Sequence, residues 1–183
     1  MADNLDYGPL QGLIGIWQGE SGMDIAPEPD GDDHNPYYET IVFEAAGDVD
    51  NADTQELNIV RYHQVVSKKR NDKEFHNESG YITWEPESQD LVLSLVIPRG
   101  VALVAHGEFV SSDDEIVFKF QADTNSEWGI VESPFMRDHA HTERFSREIR
   151  LVGDQLTYSQ TTQVSIYGRL AQHTDTNRLT KTS

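Results

Sequence analysis

The sequence predicts an all-β fold: a single antiparallel up-and-down β-barrel of about ten strands, with a short helical turn near the N-terminus. Apolar and polar residues alternate with a period of two in many short segments, as in strands with one buried face. Turn-forming residues separate these segments, and no long segment has the 3.6-residue period of a helix. Closing such strands into a barrel removes exposed edges. The length of 183 residues fits one domain, so we expect one barrel over residues 1–183.

The individual strands follow from this alternation. It is clearest from Glu115 to Gln121, where three apolar side chains share one face. Leu91–Ile97 and Val101–Val110 form a predicted hairpin around a Pro-Arg-Gly turn, and Gly8–Ile14 is the expected helical turn. The other predicted strands are one beginning near Gly15, then Tyr38–Phe43, Leu57–Ser67, Phe75–Trp84, Ser126–Val131, His141–Val152 and Leu156–Ile166. The predicted loops are Ala26–Asn35, Ala46–Asp53 and Ser111–Asp114.

The composition excludes several kinds of site and partner. The chain has no Cys, which rules out disulfides, thiolate ligands, covalent c-type haem attachment and cysteine nucleophiles. The formal net charge is −18, and such a surface repels the phosphates of nucleic acids. The acidity serves either solubility in a salty environment or the docking of a basic partner. Residues 1–20 do not resemble a signal peptide, and no apolar run reaches the roughly 20 residues that span a bilayer. We therefore expect a cytoplasmic protein without nucleic-acid or membrane partners, of unknown oligomeric state.

A Gly-x-Trp motif, Gly15-Ile16-Trp17-Gln18-Gly19, opens the first predicted strand. In a barrel, such a Trp can plug the closed end while the flanking Gly residues let backbones approach. Lipocalins and fatty-acid-binding proteins share this signature. A core Trp beside Gly in any strand also matches it, so the motif needs support from the rest of the chain.

Two further segments provide that support, and they resemble the nitrobindin family of fatty-acid-binding-protein-like barrels. The segment from His76 to Tyr81 (HNESGY), with the hairpin after it, is similar to the family's H-x-E-x-G-Y segment. The segment from Gly153 to Tyr158 leads through a polar strand to His173, which resembles the family's closing strands. The three matches occur in family order and cover most of the chain from Gly8 to Leu179.

The sequence also departs from the family pattern. Ser21 stands at the third Gly position of the family's G-x-W-x-G-x-G motif, and Gly22 lies one residue later. The family's Tyr-Pro-Thr, whose Thr helps to shape the distal face of the haem, is not found around Met23–Ala26.

The resemblance implies a cofactor and two site residues. It implies haem b, with His173 as the proximal ligand of the iron and His76 facing the same pocket from another strand. It also implies that ferric haem binds nitric oxide and isomerises peroxynitrite to nitrate, with no protein side chain predicted to be catalytic. Without the resemblance, His173 is interpreted as an ordinary solvated His. His76 is then interpreted as a His that is hydrogen-bonded within the barrel wall. Two other functions stay open: a non-enzymatic carrier of a fatty acid or another small apolar ligand, and an interaction protein whose cavity is filled by side chains.

One further histidine pair has the spacing of a weak metal-site pattern. His139 and His141 would share one face of a strand together with Glu143, in a pattern that can bind Zn²⁺. Alternating strand residues produce such a pair by chance. Phosphate-binding loops, nucleophile elbows and H-E-x-x-H motifs are not found in the sequence.

Overall fold

The structure, a computed structural model, describes residues 5–183 as a closed antiparallel β-barrel. The fold predicted from the alternation is confirmed. The elements in chain order are a 3₁₀ helix (Gly8–Leu13), β1 (Gly15–Glu28), β2 (Gly31–Ala52), β3 (Gln55–Lys68), β4 (Glu74–Trp84), β5 (Leu91–Ile97), β6 (Val101–Ser111), β7 (Ile116–Asp123), β8 (Ile130–Glu132), α1 (Pro134–His139), β9 (Ala140–Val152), β10 (Gln155–Ile166) and β11 (Arg169–Lys181).

Ten of these strands close the barrel. They pair in the order β1-β2-β3-β4-β5-β6-β7-β9-β10-β11, and β11 pairs with β1. The short β8 pairs with the first residues of β6. Because neighbouring strands are antiparallel, their connections lie alternately at two ends. We call the end where β1 begins the closed end, and the end where β1 turns into β2 the open end. In residues 5–183, neither helix has the length and apolar character needed to cross a bilayer.

The N-terminal 3₁₀ helix seals the closed end. Its residues Leu10 and Leu13 are fully buried, as is Trp17 at the start of β1. The Trp17 Nε1–H donates a hydrogen bond of 2.7 Å to the Leu13 carbonyl, which satisfies the buried indole nitrogen. The helical turn predicted over Gly8–Ile14 and the plugging role predicted for Trp17 are therefore both observed.

A bulge in β1 decides which of its residues face the interior. The pairing with β2 shifts between Gly19 and Gly22, so Gly19 is buried before the bulge and Gly22 and Asp24 are buried after it. A Cβ atom on Gly22 would stand 2.0 Å from the Tyr37 ring, so no larger residue fits there. The bulge thus explains why Ser21 replaces the family's third Gly: the inward position has moved one residue along.

Three predicted segments differ from the structure. Ala26–Asn35 is not a loop but continues the β1–β2 hairpin, and its polar, Pro-containing sequence is tolerated because the pairing of β11 with β1 ends at Ile25. Ala46–Asp53 likewise belongs almost entirely to β2, whose register with β3 is irregular there. The strand predicted over Ser126–Val131 is reduced to β8. The helix α1 follows it, begun by Pro134 and capped by the Ser133 hydroxyl.

Replacing Trp17 by Ala tests the sealed end. Loss of a fully buried aromatic side chain should lower the free energy of unfolding by roughly 3–5 kcal/mol, measured by urea denaturation. Val110→Ala is the matched control, because Val110 is 71% exposed. We expect its effect to stay within about 0.5 kcal/mol. Equal effects of the two substitutions would contradict the packing described for Trp17.

Candidate ligand site at the open end

A buried ion pair crosses the interior above the apolar closed end. Arg147 of β9 donates to both carboxylate oxygens of Glu78 on β4, with Nη1–Oε1 and Nη2–Oε2 distances of 2.8 and 3.1 Å. The two side chains are only 6% and 2% exposed. Tyr62 donates to Glu78 at 2.5 Å, and Gln160 accepts from Arg147 Nε at 2.8 Å. Burial alone raises the pKa of Glu78, but the Arg147 guanidinium outweighs it and holds that pKa well below its usual range.

A second buried carboxylate, Glu39 of β2, is held by neutral donors. Asn177 donates to it at 2.7 Å, Gln64 at 2.5 Å and Tyr158 at 3.2 Å. Burial raises the pKa of Glu39, although these three hydrogen bonds oppose the shift. The Tyr158 hydroxyl also lies 2.6 Å from that of Tyr37. The middle of the barrel is therefore filled by a polar network rather than by apolar side chains.

Asp24, His173 and Asp175 form a cluster at the open end, which we call the mouth triad. Asp24 of β1 lies directly opposite Asp175 of β11, and His173 is on the same inward face of β11. His173 Nε2 is 2.5 Å from Asp24 Oδ1 and 4.0 Å from Asp175 Oδ2. Asn35 donates to the other Asp24 oxygen at 2.8 Å and fixes its orientation. One nitrogen and two carboxylate oxygens thus lie within 4.8 Å of one another.

The three groups of the mouth triad influence each other's charge. For His173, burial lowers the pKa, but the hydrogen bond to Asp24 and the charge of Asp175 outweigh it and raise the pKa. For Asp24, burial raises the pKa, but His173 outweighs it and lowers the pKa. Burial raises the pKa of Asp175 to about 6. The charge of His173 opposes this shift, and the Asp24 carboxylate adds to it. The protonation of the three groups is therefore linked, because the His173 ring lies within 4.0 Å of both carboxylates.

His76 lies at the same end of the barrel on β4. Its Nε2 is 3.4 Å from Glu78 Oε2, and its side chain is 29% exposed. With Asp175 and five other residues it lines a cavity of about 10 Å³. The structure thus places both predicted site residues, His76 and His173, at the open end, with His173 in the mouth triad and His76 across a small cavity from Asp175.

The histidines of the H-x-H sequence do not share one strand face. His139 ends α1 and stacks on Phe135, with ring centroids 4.4 Å apart. His141 is the second residue of β9, and its Nδ1 lies 2.6 Å from a carboxylate oxygen of Glu132. The change from helix to strand between the two histidines separates them, so the shared strand face that a zinc site would need is not present.

The comparison with known families identifies the barrel. A family model described as the THAP4-like, heme-binding beta-barrel domain matches residues 6–181. The chain belongs to this THAP4-like heme-binding β-barrel family. The match confirms the relationship to nitrobindin-like barrels that the sequence motifs indicated.

A solved structure shares the fold of this THAP4-like barrel. The crystal structure of Rv2717c from M. tuberculosis has a TM-score of 0.72 at 22% sequence identity, covering 97% of this chain and 100% of that chain. At this identity the likeness shows the fold alone. No curated protein is significantly similar to the chain in sequence.

The interior of this THAP4-like barrel does not fit a haem as its side chains stand. Haem needs an apolar slot and an axial nitrogen directed at the iron. Here His173 Nε2 faces the Asp24 carboxylate, and the Glu78–Arg147 pair crosses the interior. Two cavities inside the barrel measure about 10 Å³ each, which is room for about one water molecule. Pockets for small-molecule ligands are typically about 300–1,000 Å³.

Several residues of this site were not identified from the sequence of this THAP4-like barrel. Strict alternation from Trp17 predicts that the Asp24 side chain points out of the barrel. The bulge in β1 shifts the alternation by one residue, so that Asp24 points inward. Asp175 stands two residues after His173, so alternation along that strand was a sufficient signal for it. Glu39 and Arg147 lie on apolar strand faces, and a charged residue on such a face is the signal that could have found them.

Breaking the buried ion pair should be costly. Glu78→Leu leaves the Arg147 guanidinium buried without its partner, and we expect the free energy of unfolding to fall by about 3–5 kcal/mol. The double substitution Glu78→Leu with Arg147→Met should cost less than Glu78→Leu alone, since it removes both charges. Glu44→Leu, which breaks the exposed pair with Arg61, is the control and should change little. If the double variant loses as much unfolding free energy as the two single substitutions together, this account is contradicted.

The pH dependence of stability tests the burial of Glu39. Its raised pKa means that the folded state favours the protonated carboxyl, so this contribution to stability is lost as pH rises through the folded pKa, beginning near the unfolded value of about 4.3. Gln cannot ionise. The unfolding free energy of Glu39→Gln minus that of the wild type should therefore increase from about pH 4 to about pH 8. A difference that stays constant with pH would show that Glu39 does not titrate abnormally.

Proposed function

We propose that this chain binds a small polar or charged ligand at the open end of its barrel, around the mouth triad, and does not hold haem there. One observation carries the proposal: the Nε2 atom of His173 is directed at the buried carboxylate of Asp24, at 2.5 Å. The group that would face haem iron in this family is here part of an ionic cluster.

The charged interior itself supports a binding role. Buried carboxylates reduce stability unless they are fully compensated, and apolar side chains of similar volume generally serve the core better. Asp24 and Glu39 are each 2% exposed. In residues 5–183, neither forms a salt bridge with Lys or Arg. A barrel whose interior had no function would have no physical reason to keep two such carboxyl groups buried.

Haem binding is the second candidate, because the family match and the inward-facing His173 favour it. In that case His173 would hold the iron of haem b, His76 would face the distal side, and the expected activity would be nitric oxide binding and isomerisation of peroxynitrite. The polar surroundings of Nε2 count against it. The filled, polar interior also counts against a carrier of fatty acids or other apolar ligands.

We further propose that residues 1–183 act as a single cytoplasmic domain without nucleic-acid or membrane partners. The family match over residues 6–181 supports one domain. The formal charge of −18 supports the exclusion of nucleic acid.

Titration with hemin separates the two candidates. We expect no Soret band that depends on His173, so the wild type and His173→Ala should give the same spectrum with one equivalent of hemin. His141→Ala, which alters another carboxylate-bonded His, is the matched control. A stoichiometric Soret band in the wild type and in His141→Ala that disappears in His173→Ala would overturn the proposal and establish the haem function.

A further inference from the structure

We propose that the mouth triad binds one first-row divalent metal ion, with Asp24, His173 and Asp175 as its ligands and Zn²⁺ as the best-fitting ion. This inference rests on the proposed function, because it names the ligand class for the same site. It involves no porphyrin: the three protein side chains themselves hold the ion.

The distances suit a mononuclear site. One imidazole nitrogen and two carboxylate oxygens already lie within 4.8 Å of one another. Zinc ligands at about 2.0–2.2 Å in a tetrahedron stand roughly 3.3 Å apart. His173 Nε2 and Asp24 Oδ1, now 2.5 Å apart, need to open slightly, and His173 Nε2 and Asp175 Oδ2, now 4.0 Å apart, need to close by a similar amount.

The two carboxylates of the mouth triad also favour the binding of a cation. Asp24 and Asp175 face each other across β1 and β11, and like charges directly opposite on adjacent strands are unfavourable. In residues 5–183 the only salt bridges of these two carboxylates are with the His173 imidazole. A divalent ion with two carboxylates and a neutral imidazole gives an electrically neutral cluster. The bound ion takes the place of the proton shared by Nε2 and Asp24, and that proton is released to solvent.

The surroundings supply the supporting features of a metal centre. Asn35 donates to the Asp24 oxygen that does not face His173, which orients the ligand oxygen, and Lys68 holds the Asn35 carbonyl oxygen at 2.7 Å. The cavity that Asp175 and His76 line has room for one water molecule beside the Asp175 carboxylate. Three protein ligands with one open position are typical of zinc sites that bind exogenous molecules. A combination of one imidazole and two carboxylates favours Zn²⁺ or Fe²⁺ over Ca²⁺ or Mg²⁺.

Metal binding to the full chain tests this inference. Chelator-treated protein is dialysed against Zn²⁺ in about 150 mM NaCl, which weakens cation binding to the acidic surface, and bound metal is counted per chain. We expect one tightly bound Zn²⁺ per chain and a rise of several degrees in Tm. Co²⁺ in place of Zn²⁺ should give visible absorption bands that report the ligand geometry directly.

Isosteric variants locate the ion. Asp175→Asn and Asp24→Asn should each weaken Zn²⁺ binding at least tenfold and change the Co²⁺ spectrum, and His173→Gln should do the same. His141→Gln, at the separate pair with Glu132, should bind Zn²⁺ as the wild type does. Circular dichroism checks that each variant is folded. If no Zn²⁺ binds, or if the triad variants bind it as tightly as the wild type, the inference is wrong.

The outcome also separates this inference from the proposed function. Absence of Zn²⁺ binding together with absence of a His173-dependent Soret band overturns the metal site but leaves a polar binding mouth in place. A His173-dependent Soret band overturns the proposed function itself, and with it the metal site.

Discussion

The ion pair between Glu78 and Arg147 crosses the barrel where the apolar closed end meets the polar open end. Two charges in a low-dielectric interior are stable only when each satisfies the other, and here the bidentate geometry and the bond from Tyr62 provide that. The pair links β4 to β9 through the centre of the barrel. Its buried Arg147 side chain also lines the water-sized cavity that Asp175 and His76 border, so the charged interior extends to the open end.

The barrel shares its architecture with a haem-binding family, and its inner surface changes from apolar at the closed end to polar at the open end. The closed end, with Trp17 under the 3₁₀ helix, is an ordinary apolar core. Toward the open end, Glu39 and its amide and hydroxyl donors form a polar layer across the interior. At the open end, the Asp24 carboxylate is hydrogen-bonded to the His173 imidazole. Because function resides in such side chains and not in the strand order, family membership and a changed ligand are compatible.

The sequence predicted the barrel because alternation along each strand is a local property. The resemblance to the nitrobindin family, rather than any local pattern, implied that His76 and His173 face one pocket, and both lie at the open end. The contacts that define the site depend on non-local register. The bulge at Gly19–Gly22 turned Asp24 inward, against simple alternation, and a shift of one residue reverses every side chain beyond it. The contact between Glu78 on β4 and Arg147 on β9 links residues that lie 69 positions apart in the chain. No local sequence pattern reveals such a contact.

The most direct test of the central claim is the nitrogen NMR spectrum of the His173 imidazole, recorded with and without one equivalent of hemin. If Nε2 is bonded to Asp24, its signal will show that hydrogen bond and remain unchanged on addition of hemin. Disappearance of the His173 signals through paramagnetic broadening, with those of His141 retained, would show that the ring leaves Asp24 for haem iron and would contradict the account.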